Sequence, residues 1–93
     1  MIYRITNETN IDLSLETVMN IIKPGESKDT IFNIFDDKTI SSSDGSLQII
    51  NEYNECSITP YGRLDYKIEE YNMDNKNTCR EIIVTLKPIE AEG

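Results

Sequence analysis

Apolar residues recur at every second position through most of this chain, and clusters of Gly, Pro, Asn, Asp and Ser break the pattern wherever an extended chain must reverse. That combination restricts the chain to short β-strands joined by turns. Over residues 1–35 the strand-like IYRIT gives way to the polar NETN, whose side chains can bond their own backbone in a turn. Pro24 and Gly25 then form a strong reversal signal, because proline presets φ for the first corner and glycine supplies the positive φ a type II turn needs next.

The clearest strand pair comes near the end. Leu64, Tyr66 and Ile68 alternate with Arg63, Asp65, Lys67 and Glu69, and Ile82, Val84 and Leu86 share one face of the run 80–87, so a hairpin from Arg63 to Lys87 is expected. Its dry face is read as the centre of the core. Between the two ends, Ile11, Leu13 and Leu15 suggest a second strand hairpinned to the first, and residues 30–35 a further strand closed by a turn at Asp36, Asp37 and Lys38. The segment 41–46, SSSDGS, reads as an exposed loop tip, residues 47–53 as a strand, and Pro60 and Gly62 as another reversal. One stretch fits two periods: Ile11, Leu15, Val18, Met19 and Ile22 also match a helical stripe ended by Pro24.

The expected fold is therefore all-β, a small antiparallel β-sandwich or flattened barrel of six to seven strands, with an α+β fold carrying one short helix around 14–22 as the alternative. At 93 residues the chain is expected to form a single domain over 1–93, with 88–93 a short flexible tail. Pro88 stops the last strand, and the residues after it carry little apolar content.

Charge and residue inventory exclude several functions. Seventeen Asp and Glu against nine Lys and Arg give a net charge of −8, which repels the phosphate backbone and argues against direct nucleic-acid binding. The chain has no histidine, the usual neutral-pH acid or base. Carboxylate pairs such as Asp65 and Glu69 read as solvated strand faces, and a catalytic role is not expected. Cys56 and Cys79 lie in no CxxC pair, so no zinc or haem site is expected, and both read as buried free thiols, with a disulfide between them as the alternative. Asp36, Asp37 and Asp44 flank a hydroxyl-rich loop without matching a calcium-loop spacing. No cofactor and no metal are expected. Neither a basic leader followed by an apolar run nor an 18-residue apolar segment is found, so the expected location is cytoplasmic in a bacterial host or virion-associated, with no membrane contact.

The opening YRITNETNIDLSL followed by IIKPGES resembles the N-terminal strand pair of small accessory proteins of tailed bacteriophages, in which a Tyr-x-(Val/Ile)-x-Asn strand precedes an Ile-x-Pro-Gly-Glu-Ser turn. The resemblance covers about a third of the chain, and its residues Ile22 to Ser27 make a turn, so it carries over no functional residue. It implies a non-catalytic β domain used in virion assembly or attachment.

Two functions follow as expectations. The first is a protein-binding or structural module that uses a sheet edge or face, with a homo-oligomer as one form of partner. The second is a small acidic inhibitor of a host defence nuclease, of the anti-CRISPR or nucleic-acid-mimic type. The candidate protein-binding residues are Tyr61 and Tyr71, as exposed aromatics, and Glu69 and Glu70, as the longest acidic run on the wet face of the last hairpin. An edge or apolar contact nearly indifferent to salt is the expected mode.

Overall fold

The computed structural model describes residues 2–17, 19–53, 55–72 and 78–88, with backbone alone at 71, 72, 78 and 79. The tail expected at 88–93 thus lies outside the described residues beyond Pro88, as do residues 73–77 within the hairpin expected from Arg63 to Lys87. Nine strands are described: β1 (Ile2–Asn7), β2 (Leu13–Leu15), β3 (Ile21–Ile22), β4 (Ser27–Ile31), β5 (Phe35–Ser42), β6 (Gly45–Glu52), β7 (Glu55–Gly62), β8 (Leu64–Asn72) and β9 (Thr78–Leu86). They form two sheets, one of order β4-β1-β9-β8 and one of order β3-β2-β5-β6-β7. The all-β sandwich is what the alternation implies. The described residues of the stretch 14–22 hold the end of β2, a turn and β3, with no helix among them, because Leu13 and Leu15 bury on one face at period two while Met19 stands exposed at the turn.

The inner faces follow the pleat. From the four-stranded sheet come Tyr3, Ile5, Leu64, Ile82 and Val84; from the five-stranded sheet come Leu13, Leu15, Ile22, Ile40, Leu47 and Ile49; Phe32 enters from the crossing between β4 and β5. Each such side chain contributes about 1.5–3 kcal/mol on burial, and the Tyr3 and Phe32 rings meet at 4.4 Å. β9 is central in its sheet, which explains its unbroken apolar run: Ile83, on the outward face, is buried as well.

The hairpin of β8 and β9 holds the expected register, with Tyr66 opposite Val84 and Ile68 opposite Ile82. Its dry face is graded, however. Leu64 is fully buried and Tyr66 half-buried, whereas Ile68 is 39% exposed, because the sheets part at that end and leave an open groove of about 310 Å³ between β7 and β8. Ile68 is therefore not at the core's centre.

Three local expectations change. β1 does not pair with β2: the chain leaves β1 for the other sheet, and β1 is flanked instead by β4, antiparallel, and β9, parallel. Buried Asn7 drives that departure. Its Oδ1 accepts from the Thr9 amide at 2.9 Å and the Thr9 hydroxyl at 2.6 Å, and its Nδ2 donates to the carbonyls of Ile11 and Ile22, both at 2.8 Å. The turn at Pro24 has the expected type II form, with Gly25 at φ 83° and the Glu26 amide donating to the Lys23 carbonyl at 2.9 Å. The Gly25 amide donates to the Asn7 carbonyl at 2.8 Å, so the turn docks on the end of β1.

Asp36, Asp37 and Lys38 make no turn and lie inside β5. The reversal falls at Phe32 to Ile34, where burial of Phe32 carries the chain between sheets, and Lys38 is accommodated by the Phe32 ring, 5.3 Å from its Nζ, and by Glu16 and Asp36. The polar run 41–46 is likewise mostly strand, with β5 and β6 joined through Ser43 and Asp44 alone. Pro60 sits within β7, an edge strand, where its missing amide hydrogen removes no ladder bond.

Candidate protein-binding surface

The end of the sandwich away from the Pro24 turn is organised by a chain of polar side chains. Arg80, on the inward side of β9, donates from Nη1 to the Tyr3 hydroxyl at 3.0 Å. Tyr3 donates to Oδ1 of Asn51 at 2.9 Å, and Asn51 donates from Nδ2 to the Asn33 carbonyl at 2.7 Å. Burial pushes the Tyr3 phenol up to about 12, with the neighbouring Cys56 thiol adding to the rise and Arg80 opposing it. Glu70 completes the chain through a 3.0 Å pair with Nε of Arg80. Cys56 is a half-buried free thiol, and the Cys79 side chain lies outside the described residues.

Asn51 therefore ties the core to the loop at 32–34. Its Nδ2 also lies 3.5 Å from the carbonyls of Ile34 and Tyr53. The Tyr53 amide donates to the Ile34 carbonyl at 2.8 Å, and the Asn33 amide to Oδ2 of Asp36 at 3.1 Å. Tyr53 occupies the left-handed region at φ 54°, an uncommon conformation for a bulky residue. These bonds hold three large apolar side chains in water: Ile34 is 62% exposed, Phe35 62% and Tyr53 67%. The Phe35 and Tyr53 rings pack edge to face with centroids 4.8 Å apart. Ile50, also exposed, lies one strand over and lines with Phe35, Asp37 and Glu52 an open groove of about 400 Å³.

The charges on the outer face beside this patch share one sign. Register puts Phe35, Glu52 and Glu55 on one rung of the outer face of β5 to β7, then Asp37, Ile50 and Ser57, then Thr39, Gln48 and Thr59, then Ser41, Ser46 and Tyr61. That face carries Asp37, Glu52 and Glu55 and no Lys or Arg. Glu52 and Glu55 are directly opposite each other.

The residues singled out from sequence do not converge. Tyr61 is exposed on the same face but at its far end, six residues along β7 from Glu55, or about 20 Å at the usual strand rise. Glu69 lies on the outer face of the other sheet, opposite Glu81. Glu70 points to the opposite face from Glu69 and pairs with Arg80, so the two do not form one acidic run on a wet face; period two separates them. The Tyr71 side chain lies outside the described residues, although its backbone belongs to β8. Phe35, Tyr53, Ile34 and Ile50 were not distinguishable in the sequence, where an apolar residue in a strand reads as core. Only the polar pair Asn54 and Glu55, which reads as a turn in the sequence, places Tyr53 beside a reversal.

Among the described residues no group of three or more His, Cys, Asp or Glu is placed to hold a metal ion, and no helix is long and apolar enough to cross a membrane. No protein-family profile, curated protein or solved structure matches this chain.

Proposed function

We propose that the chain is a non-catalytic protein-binding module and that it binds through the patch of Ile34, Phe35, Ile50 and Tyr53. The observation that carries this reading is the pair of exposed rings in mutual contact, held out by a loop that buried Asn51 bonds from beneath. Exposed aromatics on a pre-organised support are the usual anchors of protein interfaces, since little conformational freedom is left to lose on binding. The N-terminal resemblance to phage accessory proteins supports a role in virion assembly or attachment. The uncompensated carboxylates beside the patch favour one second reading, a small acidic inhibitor that occupies the basic channel of a host defence nuclease.

Co-purification tests the proposal. A chain with Phe35→Ser and Tyr53→Ser, retaining the parent's circular dichroism spectrum, is expected to lose the protein that the parent retains. Equal retention by both chains would refute binding through this patch.

A further inference from the structure

We propose that the occupant of this patch is an arginine-bearing segment of another protein, one that presents guanidinium groups beside apolar side chains. The inference rests on the protein-binding reading above and adds the chemistry of the partner. Three observations support it. Asp37 and Glu52 line the groove beside Phe35 and Ile50, Glu55 stands opposite Glu52 on the next strand, and among the described residues no ion pair reaches these three carboxylates. Glu52 and Glu55 face each other across β6 and β7, a like-charge cross-strand pair that is unfavourable in the free chain and is relieved when a cation lies between them. Phe35 and Tyr53 offer exposed ring surface beside those carboxylates, and a guanidinium can lie over such a ring while its fork engages a carboxylate.

The alternatives fit less well. A second copy docking by the same patch around a twofold axis would bring the two sets of carboxylates together, in a chain of net charge −8. A nucleic acid would meet the same repulsion. An apolar segment without cations would fill the groove but leave the carboxylates partly desolvated and unpaired.

The test is amide NMR of the full chain titrated with three hexapeptides, in which Leu alternates with Arg, with Ser or with Glu. The Arg peptide is expected to shift the amides of residues 34–37, 50–53 and 55, and to bind at least about tenfold more tightly than the Ser peptide. Binding should weaken severalfold between about 50 and 300 mM salt. The triple variant Asp37→Asn, Glu52→Gln, Glu55→Gln should lose about the same factor while keeping its other amide positions. Equal binding of Arg and Ser peptides at the patch, or undiminished Arg binding by the triple variant, would overturn the cationic partner and leave the docking surface standing. If no peptide moves the patch amides, both readings fail. Concentration-dependent shifts of the same amides in the chain alone would show that a second copy is the occupant and would also overturn the proposal.

Discussion

Replacing Asn51 by Ala removes a buried side chain that joins the core to the exposed patch of Ile34, Phe35 and Tyr53, and its cost can be worked from its bonds. Asn51 is fully buried; its Oδ1 takes the Tyr3 hydroxyl and its Nδ2 serves the Asn33 carbonyl. In the variant the Tyr3 O–H is left buried without its acceptor, which costs about 1–3 kcal/mol. The Asn33 carbonyl is at a partly exposed position and can turn to water, so its loss is smaller. The deleted amide leaves a void that adds about 1 kcal/mol. The total is about 2–4 kcal/mol, against roughly 5–14 kcal/mol for a domain of this length at 0.05–0.15 kcal/mol per residue. In urea, with a slope near 1–1.5 kcal/mol per molar, the midpoint should fall by about 2 M. Because Tyr3→Phe removes the same bond, the two changes should be less than additive by about 1 kcal/mol in a double-mutant cycle. The Tyr53 amide should also exchange faster, since the loop that carries its acceptor is released. An unchanged midpoint, or full additivity with Tyr3→Phe, would refute the argument.

Ile82→Ala should cost about 2–5 kcal/mol as a fully buried truncation, whereas Ile68→Ala, at the open end of the sheets, should cost less than about 1 kcal/mol; denaturant midpoints compare them. Gly45→Ala should destabilise by about 3 kcal/mol or abolish folding, because an added Cβ would stand 2.2 Å from the Tyr61 carbonyl oxygen, while Gly25→Ala meets no atom within 4 Å and pays only for its positive φ, about 1 kcal/mol. Tyr3 supplies a pH signature. Its folded phenol holds its proton to about 12 against 10.0 when unfolded, so its contribution is complete below pH 10 and is lost between pH 10 and 12; over that interval the parent should lose roughly 2–3 kcal/mol more than Tyr3→Phe does, as read from stability against pH.

Local chemistry made part of the fold readable and tertiary pairing hid the rest. The hairpin of β8 and β9 shows in the alternation of Leu64, Tyr66 and Ile68, since one face is wet and one dry, and Pro24 and Gly25 specify their turn without help from distant residues. Asp36, Asp37 and Lys38 misled because their propensity for turns is overridden by the ladder with β6 and by the Phe32 ring beneath Lys38. Asn7 looks like a turn residue in sequence and Asn51 like an ordinary strand residue, yet each is buried and bonds two segments. The parallel pairing of β1 with β9 joins the two ends of the chain, and no local pattern encodes it. The exposed apolar patch is hidden for a related reason: Phe35 and Ile50 are exposed by register, and register depends on partners that a strand's own residues do not name.

The most direct test of the proposed binding surface places a photo-crosslinking residue singly at Tyr53, Tyr61 or Lys67 of the intact chain in bacterial cells. Tyr53 lies in the patch, Tyr61 at the far end of the same face, and Lys67 on the outer face of the other sheet. The expected result is a protein adduct from position 53 that disappears when Phe35→Ser is added, with none from 61 or 67. Adducts from 61 or 67 in the absence of one from 53 would contradict it.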